Sequence, residues 1–168
     1  MPITLFGATN STWTQIVLLM LEELGVEYVL KPIDLIENDL QFPGLLQSRG
    51  STEKTPVVEI DGYMLFEARA ICRILAHKYQ INPAGLSLPT DTDALGAFEQ
   101  AASVECAYFQ PAVEHLRLMK AANKLDADTD AIAAHGEAEL RRVLDYYNNV
   151  LEKQSYLAGK VSAPLLVI

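Results

Sequence analysis

The chain of 168 residues is predicted to hold an α/β domain followed by an all-α domain. Three observations carry that prediction. Through about residue 80, short runs of β-branched and aromatic residues alternate with helical patterns. From Gln80 to Thr92, Pro83, Gly85 and Pro89 break every periodicity and mark a connection. Beyond it, apolar residues recur at helical spacing. The α/β domain is therefore set at residues 1–80, the linker at 81–92 and the helical domain at 93–168.

Ile3 to Phe6 reads as a first strand, and Gly7 to Asn10 as a loop leading to Ser11 and Thr12. A helix follows, with Trp13, Ile16, Val17, Met20, Leu21 and Leu24 on one broad apolar face and Gly25 placed as a left-handed cap. Tyr28 to Leu35 reads as a second strand, in which Pro32 marks an edge or an irregular end. Ile36 to Glu53, with Pro43, Gly44 and Gly50, reads as irregular, with at most a short helix around Gly44 to Ser48. Val57, Val58 and Ile60 suit a buried strand, Asp61-Gly62 is a hairpin signal, and Tyr63 to Phe66 completes the pair. Glu67 then opens a helix carrying Ile71, Ile74, Leu75 and Lys78. A helix between two strands of one sheet implies a right-handed crossover and a parallel pair, to which the hairpin adds antiparallel strands. This β-α-β, β-β-α order is the thioredoxin-like arrangement. In the second half, Asp93 to Ala122 reads as one long helix kinked at Pro111, its apolar positions Leu95, Phe98, Ala102, Cys106, Phe109, Val113, Leu116 and Met119. A further helix from about Asp126 to Lys153 carries Ile132, Leu140, Val143, Leu144, Tyr147 and Leu151.

The balance of 13 Lys and Arg against 22 Asp and Glu, a formal charge of −9, argues against nucleic acid and anionic lipid as partners and for small molecules or proteins. Cys72 and Cys106 are far apart, which fits reduced thiols in a cytoplasmic setting rather than a disulfide framework or a zinc site. His77, His115 and His135 show no metal-ligand spacing. No run approaches the roughly 18 apolar residues of a membrane span, and the start MPITLFG lacks the form of a signal peptide.

Thr55-Pro56 at the head of a strand is a candidate cis bond whose preceding residue keeps its backbone groups out of the ladder, free to clasp a peptide-like ligand. The pattern TPV, then DG, then LFEARAI resembles the glutathione-binding half of the cytosolic glutathione transferases, and YFQPAVEHL and VLDYYNNVLEKQSYLAG are similar to two helices of their phi-like (fungal and plant) class. The resemblance runs to about Gly159. It implies a transferase that conjugates the thiolate of glutathione, its cosubstrate, to small hydrophobic electrophiles without a further cofactor, and a homodimer in which the hairpin and the helix after it take part.

Residue by residue, the resemblance implies that Ser11, in N-S-T-W-T-Q, donates a hydrogen bond to the glutathione thiolate at a helix N-terminus, where the dipole also favours the negative sulfur. The plainer reading is a cap, since Ser11 or Thr12 suits an N-cap and Thr12 with Gln15 makes a capping box. Thr55 and Pro56 would hold the cysteinyl backbone, Lys54 the glycyl end, and Glu67 with the amides near Ala68 the γ-glutamyl end. An ordinary strand start, a solvated lysine and a helix-end carboxylate are the respective bland readings. Thr12, Trp13, Phe109 and Leu116 are candidates for the hydrophobic pocket, against a plain core role.

Three departures thin this site. Ala68 stands where the family has a serine, and Leu40 and Gln41 stand where phi-like members carry a His-Lys pair. Ser162 is followed by Ala163, Pro164 and Leu165, without the Asp of the family's capping box for a sixth helix. These features support an alternative expectation, a truncated, catalytically weak or inactive binding or dimerisation module.

Overall fold

The computed structural model describes residues 3–33, 55–79, 88–122 and 127–159. Leu40, Gln41, Lys54, the stretch 36–53 and the chain beyond Gly159 lie outside them. Two compact units are present, one of residues 1–88 and one beginning at Pro89.

The first unit runs β1 (Ile3–Gly7), α1 (Thr12–Leu24), β2 (Tyr28–Pro32), β3 (Val57–Ile60), β4 (Tyr63–Phe66) and α2 (Ala68–Lys78). The sheet order is β2-β1-β3-β4. β1 and β2 are parallel, with Ile3 opposite Tyr28, while β3 runs antiparallel to β1 and to β4. This is the thioredoxin-like order that the sequence predicts. Pro32 sits on the edge strand, where its missing N–H costs no ladder bond.

Leu5, Val17, Met20, Leu21, Val58, Ile71 and Leu75 are fully buried. Each such side chain contributes about 1.5–3 kcal/mol relative to exposure. Gly25 ends α1 at φ 63, its N–H donating to Glu22 while the N–H of Val26 reaches back to the Leu21 carbonyl, the paired bonds of a Schellman cap. Asp61 at φ 50 and Gly62 at φ 79 make the two-residue hairpin turn. The ammonium of Lys78 bonds the Asp61 carboxylate, tying the end of α2 to that turn. That bond holds the Asp61 carboxyl below its ordinary value and raises the Lys78 ammonium. The buried face of α2 is Ala68, Ile71, Cys72, Leu75 and Ala76. Ile74, expected on that face, is exposed, because the small residues Ala68, Cys72 and Ala76 let the helix approach the core one position over.

The second unit consists of α3 (Thr92–Val104), a π-helical turn (Glu105–Phe109), α4 (Gln110–Ala122) and α5 (Ala127–Leu151). The Asp91 side chain caps α3, accepting the Ala94 N–H at 2.8 Å. Pro111 does perturb the long helix, but in the turn before it. Its ring would collide with the carbonyl four residues back, and the chain responds by widening, so that the Gln110 N–H donates to Glu105 five residues earlier. The extra residue breaks the single α-helical period assumed from the sequence. Phe98, Ala101, Ala102 and Glu105 are buried ahead of Ala112, whereas Leu95 and Cys106 are exposed. On α5, Val143 and Tyr147 face inward and Leu144 and Leu151 do not. A β-carbon on Gly136 would lie 2.9 Å from Cδ2 of His115, so α4 and α5 approach closely there.

Candidate active site

Phe6 of β1 pairs with Val57 of β3, and Val57 pairs with Phe66 of β4. This single row fixes the site. β1 runs out of the sheet just past Phe6 toward Ser11, Thr55-Pro56 enters the sheet just before Val57, and Glu67-Ala68 leaves it just past Phe66. All three segments therefore meet at one end of the sheet. Phe6 and Val57 of this row form a buried cluster against which Ile33, Met64 and Phe66 pack.

Ser11 is the N-cap of α1, with extended φ −82 and ψ 126. Its N–H donates to the Ala8 carbonyl and its own carbonyl accepts from Gln15. Its side chain makes no capping bond. Thr12 is the first helical residue, and the Gln15 side chain donates to the Thr9 carbonyl at 3.1 Å. The expected Thr12–Gln15 capping box is thus absent, because Ser11 and not Thr12 occupies the position from which a side chain can reach back. The outcome leaves the half-buried Ser11 hydroxyl at a helix N-terminus whose first amides have no intrahelical acceptor. Such a position favours an anion.

The Thr55-Pro56 peptide bond is cis. Thr55 precedes the ladder, which begins at Val57. Glu67 is the N-cap of α2 at φ 68 and ψ 107, a conformation that L-residues with side chains rarely adopt. Its exposed carboxylate makes no capping bond, and α2 starts at Ala68, just past the end of β4 at Phe66. Backbone strain of this kind concentrates at ligand clamps. Ala68 is buried and brings no hydroxyl.

Trp13, in the first turn of α1, is 37 % exposed and so is not core. The guanidinium of Arg69, in the first turn of α2, lies 5.6 Å from its ring centroid. Arg69 is a residue that pattern reading passes over, since an arginine beside a helix start reads as solvated. Its signal is spatial. Gly7 is a second such residue: a β-carbon there would lie 2.5 Å from Oγ1 of Thr14, so the glycine lets the β1–α1 connection close down onto the helix that carries Ser11.

In the helical unit, the Phe109 ring stands 5.8 Å from that of Tyr147, tilted by 43°. Leu116 packs beside the Gly136 contact. A cavity of about 410 Å³ lies between the start of the π turn and α5, lined by Val104, Tyr108, Val143, Tyr146 and the ion-paired Glu139 and Arg142. Neither Phe109 nor Leu116 lines it. Burial pushes the Cys72 thiol up to about 12, against a smaller lowering by Arg69, which makes it an inert core residue. Among the described residues, no group of three or more His, Cys, Asp or Glu is placed to hold a metal, and no helix is long and apolar enough to cross a membrane.

Residues 1–77 match the family model described as glutathione S-transferase, N-terminal domain. The glutathione S-transferase hmp2 of Hypomyces subiculosus is 35% identical over 162 residues, which are 95% of this chain and 75% of that protein. A glutathione S-transferase of Arabidopsis thaliana, PM239X14, is 34% identical across 94% of this chain and 73% of its own length. Among solved structures, glutathione transferase F7 from Populus trichocarpa superposes with a TM-score of 0.83 at 27% identity, covering 97% of this chain and 77% of that one. The match extends through both units, and the chain belongs to the glutathione S-transferase family: it is a glutathione transferase of the plant and fungal phi type, with glutathione as cosubstrate.

Proposed function

We propose that this transferase joins the glutathione sulfur to small hydrophobic electrophiles with Ser11 as the residue that stabilises the thiolate. The observation that carries the reading is the row Phe6–Val57–Phe66, which gathers Ser11, Thr55-Pro56 and Glu67-Ala68 at one end of the sheet. Glutathione lies across that end. The main chain of Thr55, with Pro56, holds the cysteinyl backbone, the amides at Ala68 take the γ-glutamyl carboxylate, and the Glu67 carboxylate takes its ammonium. Lys54 serves the glycyl end. The Ser11 hydroxyl donates to the sulfur while the N-terminus of α1 adds its partial positive charge, so the thiol ionises at a lower pH than in water. Thr12 and Trp13, in the first turn of α1, serve the electrophilic acceptor. The boundaries near residues 80 and 93 separate the glutathione-binding from the helical domain. A homodimer working in the cytoplasm, in detoxification, completes the proposal.

Ser11→Ala tests it. Removal of a hydrogen bond to a charged group is expected to lower kcat/KM for glutathione conjugation to chlorodinitrobenzene roughly 10- to 100-fold. The pH-rate profile is expected to move upward, because the thiolate loses a donor. Unchanged rate and profile would remove Ser11 from the chemistry.

Ala68 favours a second reading, a weakly active enzyme, since the position offers no hydroxyl to the γ-glutamyl end. Thermal unfolding at millimolar glutathione separates the two. A clear rise in Tm supports a formed site, and none in a cooperatively unfolding sample supports the weak one.

A further inference from the structure

Gln15 does not make the bond that its spacing from Thr12 suggests, and the bond it makes instead reaches out of the helix. Its side-chain amide donates to the carbonyl of Thr9 at 3.1 Å, six residues back and outside α1. Its backbone N–H donates to the carbonyl of Ser11 at 3.0 Å. One residue therefore holds both ends of Thr9-Asn10-Ser11. The rest of the connection from β1 is fixed by main chain, with the Ile33 N–H on the Gly7 carbonyl at 3.2 Å and the Ser11 N–H on the Ala8 carbonyl at 3.0 Å. Backbone bonds survive a change of side chain, so in this set the Thr9 bond is the one that depends on the residue type of its donor. An exposed glutamine ordinarily leaves its amide in water. Gln15 is exposed, yet its amide is engaged on the segment that leads into Ser11.

A serine at an N-cap ordinarily turns its oxygen onto the N–H of the second or third helical residue, here Trp13 or Thr14. Ser11 makes no such bond, although its backbone has the extended conformation of a cap. A side-chain cap does two things: it satisfies an amide, and it fixes the direction from which the chain enters the helix. Gln15 performs the second task from within the helix, and the Ser11 hydroxyl takes part in neither. Resting on the assignment of Ser11 to the glutathione sulfur, we propose that Gln15 is a positioning residue. Through its bond to the Thr9 carbonyl it stands in for the side-chain cap, so that the Ser11 hydroxyl donates to the ligand's sulfur instead of accepting from its own helix. Without that bond the entering segment reorients and the serine oxygen settles on the Thr14 N–H. An oxygen held there directs its O–H elsewhere, and the thiolate loses a donor.

The test reads the ionisation of bound glutathione. Wild type, Gln15→Met, Ser11→Ala and the double variant are titrated with glutathione bound, by ultraviolet thiolate absorbance, and the pH profile of kcat is measured with chlorodinitrobenzene. Methionine keeps the length and neutral charge of glutamine and removes the donor. Gln15→Met is expected to move the titration of the bound thiol upward by about 0.5 to 1 pH unit and to lower kcat at neutral pH about 3- to 10-fold, the loss of roughly one neutral hydrogen bond. KM for glutathione is expected to stay within about twofold, since the residue acts on the sulfur's donor and not on the peptide ends. In the Ser11→Ala background the same substitution should have almost no further effect, because the two act as a unit. An unmoved titration in Gln15→Met, beside a raised one in Ser11→Ala, overturns this inference and leaves Ser11 standing. A full shift from Gln15→Met without the Ser11 hydroxyl also overturns it, because the glutamine then acts by another route. No shift in Ser11→Ala, or no glutathione binding in the wild type, overturns both readings. Should Gln15→Met fold poorly in urea unfolding, Gln15→Asn decides. It keeps the amide one methylene short of Thr9, the same upward movement is expected, and a titration identical to wild type overturns the inference.

Discussion

Gly7 and Thr14 are in contact so close that a β-carbon on Gly7 would fall 2.5 Å from the threonine Oγ1. The last residue of β1 is thereby pressed onto the first turn and a half of α1, and the short loop between them sets where Ser11 stands. The Thr14 side chain is fully buried, and its hydroxyl has no hydrogen-bond partner among the described residues.

Gly7→Ala is accordingly expected to destabilise the protein by about 1–3 kcal/mol, the range for overpacking a filled site. Thr14→Ala should recover part of that loss in the double variant, since the two residues share the space. Thr14→Val keeps the shape and removes an unpaired buried hydroxyl, so it is expected to be neutral or stabilising. Urea unfolding of the four proteins checks the cycle. Additive losses in the double variant would contradict the contact.

Glu67 holds a backbone that suits glycine, at φ 68. Relief of strain there is worth about 1 kcal/mol, at the low end of the usual cost. Glu67→Gly is therefore expected to raise Tm while weakening the response of Tm to glutathione, because the carboxylate proposed for the ligand's ammonium is gone. Glu67→Ile should lower Tm instead, since a β-branched side chain tolerates positive φ poorly. A Tm that falls in Glu67→Gly would show that the side chain, and not the ligand, justifies this conformation.

The two cysteines should behave oppositely toward a thiol reagent. Cys106 is exposed and Cys72 buried. Ellman's reagent is expected to titrate one thiol per folded chain and the second only on unfolding. The Cys72 thiol is raised from its ordinary 9.0 to about 12, so above about pH 9 the unfolded chain loses a proton that the folded chain keeps. Stability contributed by this group is whole below that pH and declines by about 1.4 kcal/mol per pH unit above it. Cys72→Ala should show a correspondingly shallower alkaline loss in denaturant unfolding, and identical slopes would refute the assignment.

Several backbone features of the first unit are legible in the sequence. Gly25 and the Asp61-Gly62 pair announce their own left-handed backbones, and a proline at a strand entry announced the Thr55-Pro56 bond. Where the reading failed, a local rule met a competing one. Thr12 and Gln15 have capping-box spacing, but the helix starts one residue earlier, with Ser11 as its N-cap. Pro111 signalled a distortion, but not that the chain would absorb it as a π turn that buries Glu105 and exposes Cys106. Ile74 has the right period for α2, but small residues on the neighbouring positions pack closer.

By itself, then, the sequence determined the order of the strands and helices and most of their caps and turns, because each of these follows from periodicity and backbone preference over a few neighbours. Only the tertiary structure decided that Phe6, Val57 and Phe66 fall in one row, that Gly7 closes onto Thr14, and that Arg69 stands over Trp13. Those pairs are separated by up to several dozen residues, and their meeting depends on sheet register and helix packing, which no local pattern encodes.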